Sequence, residues 1–339
     1  MSRDWPTETV GKLEAWLAWT LDAEVAIDRL FELGGGAIQE NWGLDVRRDG
    51  RAEAWVLRTD APSGVAMSWG KAEEYRILEV VHRAGVTVPR PVALGADASL
   101  LGRPFYVMTR HSGEARGRVL VRDPAIDDWG PPLARRLARE LATLHRIDAP
   151  VAALPFLPLP EQPAGARVEE YRRHLATLDG PDPVLDLALD VLADRAPRTP
   201  HRTLVHGDFR LGNVLVDEGE LTAVLDWEFA TQGDPLEDLG WFLGRYWRFG
   251  RWHHEAGGLT TKAAFVAAYE AARGRAVDPA ALLYWQLMGT VRWAVIALQQ
   301  AARHYVAGEP SLELALTGAV LPQLEWDILD LIEALDGDR

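Results

Sequence analysis

Cysteine is absent from the 339-residue chain. That excludes a disulfide framework, a thiolate nucleophile and any zinc site built on sulfur. Positive charge is scarce: 36 Lys and Arg stand against 50 Asp and Glu, for a formal charge of −14. A nucleic-acid surface needs clustered cations to neutralise phosphates, so no nucleic-acid partner is expected. Long apolar runs are lacking too. The most apolar stretch late in the chain, Trp293 to Leu298, is far too short to span a bilayer. The N-terminal MSRDWPTETVGKLEAWL has no apolar core of a signal peptide. A cytoplasmic protein without a membrane partner is the default expectation. No G-x-x-x-x-G-K-[ST] phosphate loop, fixed-period repeat or low-complexity tract occurs.

What is present is an ordinary globular composition, 48% hydrophobic and 25% charged. Helical spacing of Leu13, Trp16, Leu17 and Leu21 predicts an amphipathic helix over Glu8–Leu21. Strands are expected at Ile27–Leu33, Trp42–Arg47 and Ala54–Arg58, the last two joined by an Asp49-Gly50 turn. The helix AEEYRILEVVHRAG should end at Gly85. Pro89 and Pro91 keep VTVPRPVAL extended, and PFYVMTR reads as a strand. Beyond Arg110 the pattern turns helical: PPLARRLARELATLHRID, Tyr171–Leu178, Val184–Asp194, Phe265–Arg273, Leu282–His304 and Ser311–Leu335. The order predicts an α+β protein of two lobes with a cleft: a β-rich lobe over residues 1–110 and a larger, mainly helical lobe over residues 111–339. Asp182, Asp186, Asp190 and Asp194 recur every fourth residue and read as a solvated face.

The chemistry concentrates in LVHGDFRLGNVLVDEGELTAVLDWEF, Leu204 to Phe229. Val214–Val216 and Leu221–Leu225 form a hairpin pattern turning at Asp217–Glu220. Asp208 and Asn213 precede its first strand and Asp226 follows its second, so all three side chains can converge at its open end. An acid, a carboxamide oxygen and a second acid are hard ligands suited to Mg²⁺. A carboxylate near a metal-bound phosphate is also the proton acceptor that a hydroxyl nucleophile needs.

HGDFRLGN resembles the catalytic loop of the protein-kinase-like superfamily, with LDWE as its second, metal-binding motif. The His-Gly-Asp form followed by LDWEFATQGDPLEDLGWF resembles the aminoglycoside phosphotransferase (APH) branch, most of all the kinase-like domains fused in some proteins to acyl-CoA dehydrogenases. The resemblance runs from about Leu33 to Leu243 by motif. It implies a two-lobed protein-kinase-like fold and an ATP- and Mg²⁺-dependent transfer of the γ-phosphate to a hydroxyl of a small molecule. Asp208 would be the base, Arg210 would neutralise the transferred phosphoryl, and Asn213 and Asp226 would hold the metal. His206 and Glu228 read as loop structure, though Glu228 could reach a metal through water.

In the first lobe, Gly35, Gly36 and Ala37 of GGGAIQENW would cover the phosphates. The family's Lys on the third strand is replaced by Arg58, which keeps the charge and can bind phosphate bidentately. Glu74, with Glu73 as competitor, would pair with Arg58. Met108 and Arg110, flanking Thr109, would form the hinge contacting adenine through backbone groups. Asp234, Pro235 and Glu237 read as a capping box, Asp238 as a brace for the catalytic loop, and His145 as a helix-end residue.

WFLGRYWRFGRW, Trp241 to Trp252, suits three roles: a pocket whose Arg245, Arg248 or Arg251 binds an anion, aromatic walls for an amine, or a core helix. Hydroxy acids, hydroxyacyl-CoAs and aminoglycoside-like acceptors therefore all stay open, as does the oligomeric state. A nucleotide-binding pseudokinase is the alternative, suggested by Arg58 alone. A protein kinase is disfavoured, since no DFG or APE segment brackets an activation loop.

Overall fold

Alternating side chains and one tight turn build the first part of the chain. The computed structural model describes residues 5–34, 39–60, 68–178, 182–305 and 311–337. Helix α1 (Thr7–Leu21) buries Leu13 and Leu17, one turn apart, and stops where Asp22 turns left-handed. Strands β1 (Val25–Leu33), β2 (Gln39–Arg48) and β3 (Arg51–Asp60) follow, with β2 and β3 joined through Asp49 and Gly50, both at positive φ. Two such residues match the right-handed twist of a hairpin, which is why Asp-Gly was informative. Helix α2 (Lys71–Arg83) then leads to β4 (Pro91–Gly95) and β5 (Phe105–Thr109). The strands make one five-stranded antiparallel sheet in the order β1-β2-β3-β5-β4. Leu13 and Leu17 join Trp42, Leu44, Trp55, Leu57, Phe105 and Val107 in its core.

The chain divides into two compact units. The first holds residues 1–115, 152–156 and 213–230, and the second holds the remainder. The hairpin β7 (Val214–Asp217) and β8 (Glu220–Val224) thus groups with the sheet, whereas a division at Arg110 put it in the second lobe. Backbone bonds explain the difference. Glu114 bridges Val216, Val224 donates to the carbonyl of Thr87 (2.8 Å), and Trp69 donates to that of Glu228 (2.9 Å).

The second unit starts with the short α3 (Gly117–Leu120) and α4 (Ile126–Leu144). Helix α4 begins ahead of Pro131 and Pro132 and carries both inside it, so two ladder hydrogen bonds are forgone for a buried stripe of Leu133, Leu137, Leu141 and Leu144. Helices α5 (Pro163–Leu175) and α6 (Pro183–Asp194) follow, with Asp182 capping α6 through the backbone N–H groups of Val184 and Leu185. Asp190 is exposed and pairs with Arg172 at 2.8 Å, as on a solvated face.

Strand β6 (Thr203–Val205) pairs with β9 (Thr231–Gly233), and α7 (Leu236–Phe242), α8 (Lys262–Arg273) and α9 (Pro279–Tyr305) complete the core. Helix α9 is long and apolar enough to cross a membrane by length and composition alone. Some 67% of its most apolar window is buried inside the protein, the pattern of a core helix. Its Tyr284, Trp285, Leu287, Met288, Val291 and Val295 pack with residues of α6 and the C-terminal helices. The expected single helix over Ser311–Leu335 is two helices, α10 (Leu312–Gly318) and α11 (Leu321–Gly337). Pro322, lacking an N–H, suits the first turn of α11 and cannot continue α10.

Candidate active site

In the first unit, alternation along β3 turns Arg58 inward, where it is 5% exposed. A guanidinium there must find anions. Arg58 Nη2 donates to Asp226 Oδ1, and its Nε lies 3.2 Å from Glu74 Oε1. The second approach is an ion pair without hydrogen-bond alignment. Glu74, 1% exposed, makes the pair rather than Glu73. It also accepts from Lys71 Nζ (2.7 Å) and from the Tyr106 hydroxyl (2.9 Å). Burial alone would lower the Arg58 pKa, but Glu74, Tyr106 and Asp226 outweigh it and raise it further. Burial and the Glu74 charge push the Tyr106 phenol well above its usual value.

The hairpin brings two more candidates to one end. Asn213, 2% exposed, precedes Val214, which pairs with Val224, and Leu225 donates to the Asn213 carbonyl at 2.8 Å. Asp226 follows in the left-handed region, φ 61°, its side chain about one-third exposed. Glu228, two residues on, is 9% exposed, and burial followed by the Asp226 and Glu74 charges raises its carboxyl to about 7. Among the described residues no three His, Asp or Glu side chains are grouped to hold a metal unaided. One carboxylate and one carboxamide still suit Mg²⁺, which takes one or two protein oxygens and completes its shell with phosphates and waters.

The expected hinge is modified. Met108 is buried in β5 opposite Val56, and the N–H groups of Thr109 and Arg110 donate to the carbonyls of Arg90 (2.9 Å) and Ala54 (2.8 Å). Those donors are spent on the sheet, and the Arg110 guanidinium reaches back to Asp45. Gly35, Gly36 and Ala37 lie outside the described residues.

The second unit holds Asp208 and Arg210, on the loop after β6. Asp238 Oδ2 accepts from the His206 N–H (2.8 Å) and Oδ1 from the Gly207 N–H (2.9 Å), so one buried carboxylate fixes the loop backbone. Burial opposes ionisation of Asp238, yet His145 and His206 lower its pKa below the ordinary value. His145 does stand at the C-terminal end of α4, as expected, but the dipole is not its partner: wholly buried, it bonds Asp238 through Nε2 (3.1 Å) and the Tyr269 hydroxyl through Nδ1 (2.8 Å). His206 Nδ1 accepts from the Asp208 N–H at 3.1 Å, a structural role as expected. Asp234 caps α7 through Leu236 N, but the Glu237 carboxylate goes to Arg167 and does not close a capping box.

Asp208, its side chain 14% exposed, accepts from Trp241 Nε1 (2.8 Å) and lies 3.2 Å from Arg210 Nε. Trp241 stands in an aromatic group with Tyr246, Trp247 and Trp293. The Arg210 guanidinium lies 4.7 Å over the ring of Trp247 and that of Arg292 4.5 Å over Trp241. Two expected anion binders are otherwise engaged: Arg245 with Asp327 and Asp330, and Arg251 with Asp127. Arg248 donates to the carbonyl of Trp252. Sequence reasoning missed Lys71, Tyr106, Trp241 as a donor, and Arg292. A signal existed for Arg292, the one charge in the apolar run LLYWQLMGTVRWAVIAL, and for Lys71, which lies on the stripe Glu74–Leu78–Val81.

Known proteins resemble this chain in sequence and in fold. Mouse acyl-CoA dehydrogenase family member 10 is 30% identical over 207 residues, 58% of this chain and 19% of that protein. The chain therefore spans about a fifth of that relative's length. A candidate aminoglycoside phosphotransferase from Ralstonia eutropha jmp134 superposes with a TM-score of 0.77 at 21% identity, covering 98% of this chain and 99% of that one. A thermostable mutant of aminoglycoside phosphotransferase APH(4)-Ia, in ternary complex with ADP and hygromycin B, gives 0.60 at 18% identity over 95% and 98%. These likenesses establish the kinase-like phosphotransferase fold. The APH model, described as the phosphotransferase enzyme family, matches residues 31–284, three-quarters of the protein, and the chain belongs to that family.

Proposed function

We propose that the protein transfers the γ-phosphate of ATP to a hydroxyl group of a small molecule, with Mg²⁺. The observation that carries this is the ion-pair cluster of buried Arg58 and Glu74 with the partly exposed Asp226, which joins a candidate phosphate-binding cation to a candidate metal ligand. Family membership supports the reaction class. Asn213 and Asp226 would hold Mg²⁺, which when bound neutralises charge on the phosphate oxygens. Arg58 binds phosphate. Asp208 takes the hydroxyl proton on a carboxylate oriented by Trp241, and Arg210 offsets charge on the transferred group.

The acceptor is best read as an anion, such as a hydroxy acid or hydroxyacyl-CoA. The ring faces of Trp241 and Trp247 that an amine would use carry Arg292 and Arg210. A guanidinium pairs with carboxylate or phosphate and repels an ammonium. Arg58 keeps an ion pair with Glu74, so no observation favours a pseudokinase.

The test is phosphoryl transfer from radiolabelled ATP across hydroxy acids, hydroxyacyl-CoAs, choline-like amines and aminoglycosides. Label should move to an anionic acceptor, and Asp208→Ala should cut turnover by about 10²–10⁴-fold. Wild-type turnover in that variant would refute the base, and transfer to amines alone would refute the acceptor class.

A further inference from the structure

Three lysines occur in the chain, Lys12, Lys71 and Lys262, against 33 arginines by difference from the 36 basic residues. A chain that meets nearly every need for a cation with Arg has nonetheless placed one Lys at 1% exposure. The position is costly in two ways. Lysine is seldom buried unless paired, and Lys71 opens α2, where the helix dipole is positive. Its ammonium lies 2.7 Å from Glu74 Oε2.

The charges alternate: Lys71, Glu74, Arg58, Asp226. Glu74 receives aligned hydrogen bonds from Lys71 and Tyr106, and only a misaligned approach from Arg58. The carboxylate on α2 is therefore satisfied without the cation on β3. We propose that Lys71 is the counter-ion of Glu74 and thereby a positioning residue for Arg58, whose guanidinium, bonded to Asp226, is drawn less toward Glu74 and can turn to nucleotide phosphate. Two residues then divide the work that the family pattern assigns to one lysine. The inference rests on the nucleotide reading given above.

Without Lys71, Arg58 is the cation that must neutralise Glu74, and the misaligned approach it now makes tightens into a full ion pair beside the one to Asp226. Phosphate affinity falls. Removing the Glu74 charge as well abolishes the competition, so a second substitution repairs the first. A purely structural role for Lys71 predicts no such repair.

The experiment is calorimetric titration with Mg·ADP, which requires no acceptor. Arg58→Met and Lys71→Met should each weaken binding about tenfold or more, the scale of one charge-assisted contact. Adding Glu74→Gln to Lys71→Met should recover about threefold or more of the lost affinity, because the uncompensated carboxylate that draws Arg58 away is then neutral. Lys71→Met binding normally, or a double variant no better than the single, overturns the proposal. Should Lys71→Met fail to fold, the double variant is compared with Glu74→Gln alone: equal affinity supports the division, and a further tenfold loss on removing Lys71 refutes it. Failure of the unaltered protein to bind Mg·ADP removes the nucleotide reading itself, and this inference with it.

Discussion

Trp241→Phe keeps an aromatic ring in place and deletes one N–H. That N–H donates to Asp208 Oδ1 at 2.8 Å, and Arg210 Nε donates to the same oxygen from 3.2 Å. Two effects oppose each other. A carboxylate that loses a donor becomes a stronger base, which would speed proton abstraction. It also loses its orientation, and misplacement on the scale of 1 Å can cost about 10²-fold. The transition state of phosphoryl transfer is loose and asks little of the base's strength, so orientation should win. Turnover should fall roughly 10- to 100-fold, with KM for ATP unchanged because the deleted hydrogen bond serves the proposed base and not the proposed phosphate-binding groups.

ADP formation, with water or an acceptor from the screen, measures this. A ¹⁵N-indole spectrum should lose one resonance in Trp241→Phe, and that resonance should shift in Asp208→Ala. Trp293→Phe is the control, a ring of the same group 6.3 Å from Trp241. Normal turnover in a folded Trp241→Phe protein, or an equal loss in Trp293→Phe, would refute the reasoning.

Gly240→Ala should be among the most damaging single-methyl changes, because its Cβ would lie 2.5 Å from the carbonyl oxygen of Trp285 where α7 meets α9. Overpacking against backbone should cost about 3 kcal/mol or more in urea unfolding; an unshifted midpoint would contradict the packing. Asp238→Asn presents an amide to N–H donors at His206, Gly207 and His145, and should destabilise by roughly 3–5 kcal/mol. The same residue sets a pH dependence. Its folded pKa lies below the ordinary 3.8, so its contribution is complete above that value and is lost as pH falls through the lowered one. Acid unfolding should therefore be less steep below about pH 4 in Asp238→Asn, followed by circular dichroism.

Local rules carried the sequence a long way. Asp49-Gly50 fixed a hairpin because two adjacent left-handed residues admit few other structures. Asp208, Asn213 and Asp226 stood out because polar groups among β-formers demand a reason, and Asp238 was read as the brace that it is. Local rules failed where the partner is remote in sequence. His145 looked like a dipole partner because its bonds to Asp238 and Tyr269 join positions 93 and 124 residues away. The three arginines of WFLGRYWRFGRW looked alike until their remote partners, Asp327 and Asp127 among them, told them apart.

The sequence by itself determined the element order, the hairpin and the acidic and amide groups at its mouth. Each of these follows from residues a few positions apart, through turn chemistry, period and capping. The tertiary structure alone decided which charges are buried together: Lys71 and Arg58 on one glutamate, Trp241 on the candidate base, Arg292 and Arg210 over aromatic rings. Burial removes the water that would otherwise solvate a charge, so a side chain's partner, and with it its role, is set by whatever the fold brings alongside.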